Sequence, residues 1–166
     1  QSYGYPISAV LANTWLEPRG PWAHPGTYTA RLTASGRTME QRFEVKMDPR
    51  VKASASALKT QFDLSMRAYA SMNASLDALA DVRTTQKLLA DAAAKEKSTT
   101  RRKALEAEGT KLAEFDGKGF ALLNQQMAQL LDGLQEADEA PTSQLAAAFE
   151  EKSRALAELI AAWPKA

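Results

Sequence analysis

Two short stretches near the start of the chain alternate between polar and apolar residues. They cover residues 27–33 and 37–46, and Ala34-Ser35-Gly36 connects them. Their apolar members are Tyr28, Ala30, Leu32, Met39, Phe43 and Val45. A period of two is typical of strands with one wet and one buried face, and Gly36 can take the positive φ that a tight turn needs. The pattern predicts a β-hairpin over about residues 27–46.

From residue 54 onward the pattern changes to that of a helix. Apolar residues recur at alternating spacings of four and three, which predicts a helix over residues 54–95, about 60 Å long. Its predicted seam consists of Leu58, Phe62, Ser65, Tyr69, Met72, Leu76, Leu79, Arg83, Gln86 and Ala90. The seam is apolar at its start and weakens after Leu79. A helix of this length suits one arm of an elongated bundle.

The remaining sequence predicts three shorter helices. They cover residues 99–114, 120–136 and 143–163, separated by breaks at Asp116–Gly119 and Ala140–Thr142. Short connections favour antiparallel neighbours. The sequence therefore predicts an α+β, mostly α fold: an elongated antiparallel bundle of three to four helices over residues 51–166, preceded by a small β-hairpin within residues 1–50.

The predicted hairpin lacks a second layer for its apolar face, and an isolated hairpin is marginal in water. We expect the other strands of its sheet to lie largely before Gln1, so that the chain is a fragment of a larger protein. Trp15 and Trp22 lie in the Pro-rich loop ahead of the hairpin. They are the candidate interaction residues, and they would pack on the hairpin or on a neighbouring surface.

Composition narrows the classes of partner. The net charge of +1 gives no basis for a nucleic-acid partner. The absence of Cys excludes disulfide frameworks and thiolate metal sites. No run approaches the roughly 18 apolar residues of a membrane span.

The residues of the chain predict no catalytic, cofactor or metal site. His24 is the only histidine and has no partner for a triad, and no nucleotide-binding or hydrolase motif is present. The carboxylates Asp132, Glu136, Asp138 and Glu139 cluster at a helix end, where a solvated loop is the expected reading. The run Arg101-Arg102-Lys103 is interpreted as a solvated first helical turn. These residues predict a chain that is not an enzyme.

The stretch PGTYTARLTASGRTMEQRFEVKMDPRV, Pro25 to Val51, resembles the C-terminal region of bacterial proteins built on BNR-repeat (sialidase-type, sortilin-like) β-propellers, often labelled glycosyl hydrolases. In that family a hairpin of this kind ends an Ig-like segment and leads into a helical tail. Further similar phrases are Leu122-Leu123-Asn124 with Leu130-Leu131, and Leu134-Gln135-Glu136-Ala137-Asp138 followed by Ala140-Pro141-Thr142.

The resemblance implies a non-catalytic C-terminal structural or protein-interaction region of an exported protein, located in the periplasm or at the cell surface. It makes residues 1–50 the end of an Ig-like β segment, with the upstream β-propeller as the expected partner. Self-association through the long helix is a second expected contact. The alternative is a carbohydrate-binding accessory module of a glycosidase that uses Trp15 and Trp22.

Overall fold

The computed structural model describes residues 20–163. Its elements are β1 (Gly26–Ala34), β2 (Arg37–Val45), α1 (Ala55–Lys95), α2 (Thr99–Phe115), a π-helical turn (Asp116–Phe120), α3 (Ala121–Leu134) and α4 (Ser143–Ala162). The predicted α+β, mostly α fold with a small hairpin is confirmed. Each helix begins and ends within two residues of its predicted bounds.

Strands β1 and β2 form a two-stranded antiparallel sheet. Gly26 is opposite Val45 at the base, and Ala34 is opposite Arg37 next to the turn. Both turn residues have positive φ, 49° at Ser35 and 74° at Gly36. A two-residue connection with this geometry matches the right-handed twist of the strands.

The Asp48-Pro49-Arg50 stretch turns the chain from the sheet into α1. The Asp48 carboxylate accepts the Arg50 backbone N–H at 2.9 Å and pairs with the Arg50 guanidinium at 2.6 Å. The side-chain hydrogen bond from Arg50 lowers the pKa of the Asp48 carboxyl. Three residues beyond Val51, the Ser54 hydroxyl accepts the Ala57 N–H at 3.2 Å and caps α1. This short turn fixes where the long helix begins.

Helix α1 is the axis of the bundle. The chain returns antiparallel to it through α2, the π-helical turn and α3, and α4 then runs parallel to α1. Contacts between α1 and the returning chain are nested: Arg83 Nη2 lies 3.0 Å from Asp116 Oδ1, Asn124 Nδ2 donates to Met72 O at 2.9 Å, and Gln61 Nε2 donates to Ala137 O at 2.6 Å. Arg67 of α1 pairs with Glu150 of α4 at 2.8 Å.

The π-helical turn stands where the sequence predicts a break between helices. Gly119 has non-helical angles (φ −97°, ψ −106°), so the chain kinks there. A Cβ at this position would lie 2.8 Å from Glu114 O and 3.2 Å from Leu159 Cδ2. Glycine at this position therefore avoids a clash with the backbone of Glu114 in α2 and leaves room for Leu159 of α4. The break is therefore a kink inside one returning helical path rather than a loop.

The buried apolar residues form two clusters along α1. The cluster nearer the hairpin contains Leu64, Ala68, Met127, Leu131, Leu134 and Phe149. The cluster nearer the far end contains Leu79, Val82, Leu112, Phe120, Leu156 and Trp163. Both join α1 and α4 to the returning chain, so the bundle closes its own core.

Six of the ten residues predicted for the seam of α1 are buried or half-buried, and the other four are exposed. One row of buried and half-buried residues has a strict spacing of three and four: Leu58, Gln61, Ser65, Ala68, Met72, Ser75, Leu79, Val82, Gln86, Leu89 and Ala93. The buried Leu64 lies beside this row. The predicted members Tyr69 and Leu76 are instead 37% and 36% exposed, and Arg83 and Ala90 are also exposed. The predicted member Phe62 is half-buried. The buried face also continues past Leu79. The interface uses small and polar residues in place of the larger ones beside them.

Candidate functional site

The apolar side chains of the hairpin lie on one open face of the sheet. Tyr28 faces Phe43 across the strands, with ring centroids 5.9 Å apart in a stacked arrangement. Leu32 faces Met39, and these two side chains are 58% and 62% exposed. Phe43 is 47% exposed. We name Tyr28, Leu32, Met39 and Phe43 the hairpin face; Ala30 and Gln41 lie between its two pairs on the same side of the sheet.

The opposite side of the sheet is polar, and its side chains contact one another across the two strands. Arg31 and Glu40 form a cross-strand ion pair at 2.6 Å, and the Thr33 and Thr38 hydroxyls lie 3.1 Å apart. All residues of the two strands are exposed except the half-buried Tyr28 and Val45. The sheet therefore presents both of its faces to solvent.

A small cavity lies where the base of the hairpin meets the bundle. Its volume is about 120 Å³. The lining residues are Trp22, Ala23, His24, Pro25, Val45, Lys46, Met47, Leu58, Gln61, Phe62, Ser65, Gln135 and Asp138. They come from the loop ahead of β1, the end of β2, α1 and the end of α3, so we call this place the junction cavity.

Hydrogen bonds fix the loop ahead of β1 at the junction cavity. The Trp22 N–H donates to Gln135 Oε1 at 2.6 Å, and the Tyr28 hydroxyl donates to His24 O at 2.6 Å. The His24 ring contacts the edge of Phe62 with centroids 5.8 Å apart. These contacts attach the hairpin to α1 and to the end of α3.

His24 lies in the loop, as the sequence predicts, and its ring is partly enclosed. Nδ1 lies 2.9 Å from Pro25 O, which is consistent with an Nδ1–H donor. Nε2 is buried without a hydrogen-bond partner in the described structure. The contacts of the ring with Pro25 O and Phe62 hold the loop in place beside α1.

Of the two tryptophans predicted as interaction residues, the structure describes only Trp22. Trp22 lies at the junction cavity with 49% of its surface exposed. Trp15 lies outside the described residues. The structure thus brings Trp22 together with Gln135 and Phe62, two residues that carry no functional signal in the sequence because only the fold places them there.

The remaining chemical candidates lie apart from one another. Asp132, Glu136 and Glu139 are exposed around the end of α3, and Asp138 is half-exposed at the junction cavity. Arg101, Arg102 and Lys103 are exposed in the first two turns of α2. Within residues 20–163, no three His, Asp or Glu side chains are grouped closely enough to hold a metal ion.

No family model matches the chain, and neither the curated proteins nor the solved structures compared with it give a significant match. Over the described part of the chain, no helix combines the length and the apolar character needed to cross a bilayer.

Proposed function

We propose that this chain is a non-catalytic structural or protein-interaction region of a larger exported protein with BNR-type β-propeller repeats. The observation that carries the proposal is the hairpin face, where Leu32 and Met39 are more than half exposed. The bundle encloses its own core, whereas the sheet does not. The assignment to BNR-repeat proteins rests on the resemblance of Pro25–Val51 and of the later helical phrases.

Burial of the hairpin face supplies the driving force for the interaction. Covering one large apolar side chain contributes about 1.5–3 kcal/mol, and the face presents four such side chains on the same side of the sheet. A two-stranded sheet gains independent stability only with further strands or a packed layer. We infer that β-structure of the larger protein covers this face and that the bundle is held beside the propeller.

The reading frame upstream of Gln1 tests the family assignment directly. We expect sialidase-type repeats with Asp-box patterns there, preceded by an export signal. An unrelated upstream sequence would contradict the family assignment, and an upstream sequence without an export signal would contradict the location outside the cytoplasm.

Hydrogen exchange tests the covered face. In the larger protein, the backbone amides of β1 and β2 are expected to exchange at least about tenfold more slowly than in residues 1–166 alone, because a packed layer suppresses local opening. The amides around Ala68 in the middle of α1 serve as the internal control and should change little. Equal exchange of the hairpin in the two proteins would show that nothing covers it.

Trp22 supports a second candidate function, a carbohydrate-binding module. Its ring is about half exposed beside a cavity that also offers the Asp138 carboxylate. An exposed aromatic face next to polar groups suits a sugar ring, whose C–H surface packs on the aromatic while its hydroxyls bond to the polar side chains.

A glycan array distinguishes this second function from the first. Binding that is lost in Trp22→Ala and retained in Tyr69→Ala, an exposed aromatic elsewhere on the chain, would support the module. The Trp22 substitution leaves its backbone N–H, and hence the bond to Gln135, in place. No binding to any glycan by the unchanged chain would remove this candidate.

A further inference from the structure

Within residues 20–163, β2 pairs with β1 on one side only, and its outer edge carries a row of backbone groups with no strand beside it. Ala34 and Arg37 flank the two-residue turn and form the closing hydrogen-bonded pair, so hydrogen-bonded and non-bonded pairs alternate from there. The residues whose N–H and C=O groups point away from β1 are Thr38, Glu40, Arg42 and Glu44. β2 contains no proline, and its residues other than Val45 are exposed. Such an edge is a template for another strand.

The sequence of β2 is complementary to itself about Gln41. If two copies of β2 pair antiparallel across a two-fold axis at Gln41, Glu40 of each copy lies opposite Arg42 of the other. Thr38 then lies opposite Glu44. The two Glu40–Arg42 pairs occupy hydrogen-bonded positions of the new ladder, where opposite charges on one face stabilise a sheet.

Neighbouring registers lack this match. A shift by two residues in one direction centres the axis on Glu40 and places it opposite its own copy. A shift in the other direction centres the axis on Arg42 and places Glu40 of each copy opposite Glu44 of the other. Like charges directly opposite destabilise a sheet, so the charges of β2 select the register about Gln41.

The same register continues the hairpin face. Met39 of each copy lies opposite Phe43 of the other, and a thioether beside an aromatic ring is a favourable contact. A two-fold axis perpendicular to the sheet keeps both apolar faces on the same side. The product is a four-stranded sheet, and its two bundles lie at opposite ends because the hairpins run in opposite directions.

The outer edge of β1 has no comparable pattern. Its outward residues are Thr27, Thr29, Arg31 and Thr33. Their single charge has no partner of opposite sign in an equivalent self-pairing. A register centred on Arg31 would place two guanidinium groups opposite each other. Self-pairing is therefore specified on the β2 edge and not on the β1 edge.

We propose that two copies of this chain associate through the outer edges of β2, in the register centred on Gln41. This inference goes beyond the proposed function and does not depend on it, because the two copies are joined by backbone groups along the edge of β2 and the hairpin faces of both stay uncovered on one side of the four-stranded sheet. Glu40 can serve both contacts, since a carboxylate accepts several hydrogen bonds and its pair with Arg31 at 2.6 Å uses one oxygen. The interface is small, so the dissociation constant is expected in the range of roughly 1–100 μM.

A charge-reversal experiment tests the register. Arg42→Glu puts a carboxylate opposite Glu40 of the second copy, and Glu40→Lys puts an ammonium group opposite Arg42. Each variant alone is expected to raise the dimer dissociation constant at least about tenfold in sedimentation equilibrium, because two attractive pairs become repulsive. An equimolar mixture of the two variants restores both attractive pairs and is expected to form a heterodimer with the affinity of the unchanged chain.

Arg102→Glu is the matched control, since it makes the same change of charge at the exposed start of α2 and should leave the dimer intact. Circular dichroism confirms that each variant is folded. A chain that stays monomeric up to about 1 mM would overturn the proposal. So would a dimer that survives Arg42→Glu, which would indicate pairing through α1, or a mixture of the two variants that does not associate.

Discussion

Gln61 shows how one polar side chain joins the hairpin end of α1 to the end of α3. It is 7% exposed, and its Nε2 donates to Leu134 O and to Ala137 O. The last carbonyls of a helix have no partner within the helix. Gln61 therefore caps α3 from a different helix, which also fixes the register between α1 and α3.

We expect Gln61→Leu to destabilise the chain by about 1–3 kcal/mol, because it leaves Leu134 O at a buried helix end without its donor. Ala137 O keeps the Glu139 N–H at 3.0 Å. Urea unfolding followed by circular dichroism measures the change. Gln86→Leu, at a half-buried seam position of the same helix, should change stability by less than about 0.5 kcal/mol. Equal losses in the two variants would show that hydrophobic fit, not the cap, is responsible.

At the scale of elements, the bounds of the helices could be predicted and the buried face of α1 only in part. Leu58, Met72 and Leu79 are strong apolar signals and lie on the seam. Its other half uses Gln61, Ala68 and Ser75, which hydrophobicity does not mark. Gln61 and Ser75 are tolerated there because α3 supplies their partners, such as Asn124 Nδ2 at 2.9 Å from Ser75 Oγ. Those partners are about 50 or more residues away in sequence, so local patterns cannot reveal them.

Replacing a glycine in the π-helical turn and a glycine inside α2 by alanine should change the stability of the chain in opposite directions. Gly119→Ala should cost about 1–3 kcal/mol, since its Cβ would approach Glu114 O to 2.8 Å. Gly109→Ala, inside α2 with no atom within 4 Å of its Cβ, should stabilise by about 0.5–1 kcal/mol. Thermal unfolding of both variants gives the comparison. A stabilised Gly119→Ala would mean that the backbone at the kink does not approach Glu114 O as closely as described.

The contact between α1 and α4 leads to a pH-dependent prediction. Two bonds join Arg67 to Glu150, at 2.8 and 3.2 Å, and the side-chain hydrogen bond from Arg67 lowers the pKa of Glu150. A lowered folded-state pKa contributes stability above the unfolded-state value, which is lost as the pH falls through the folded-state value. In Arg67→Gln, the pKa of Glu150 should rise toward its usual value of about 4.3, and the acid loss of stability should become smaller.

An NMR titration of the Glu150 side chain measures this pKa directly. The readout is needed because the Arg67 guanidinium also lies over the Phe149 ring, 4.7 Å from its centroid, so its loss alters packing at every pH. Arg102→Gln, far from α4, is the control. An unchanged Glu150 pKa in Arg67→Gln would contradict the assignment of the shift to this pair.

At the scale of the whole molecule, the sequence predicts that a hairpin precedes a bundle, but not how the two are attached. The attachment depends on the Trp22 N–H and Gln135 Oε1, which lie 113 residues apart in the chain. Neither residue belongs to a motif, and Gln135 follows directly after α3. The exposed hairpin face could be anticipated, because alternation without a second layer leaves one apolar side uncovered.

Sheet and bundle should differ in local stability. The strands are exposed along almost their whole length, whereas Ala68 and Val82 of α1 are fully buried. We expect the hairpin amides to exchange at least about a hundredfold faster than the α1 amides at these two positions, because regions with few buried contacts open at lower free energy. Hydrogen exchange followed by mass spectrometry or NMR measures both. Uniform protection would mean that the hairpin unfolds only together with the bundle.

The nested contacts along α1 have a consequence for folding kinetics. The short turn at Glu96–Ser98 lies midway between the contacting segments of the chain. The contact nearest to it joins Arg83 to Asp116, and the next joins Met72 to Asn124. Bringing the next pair together therefore closes only a short additional loop, for which the entropy cost is small. The contacts of the bundle can form one after another, starting beside the turn at Glu96–Ser98 and ending near the hairpin, and α4 packs last. Such a topology favours rapid folding, and substitutions beside the turn should slow folding more than substitutions near Gln61.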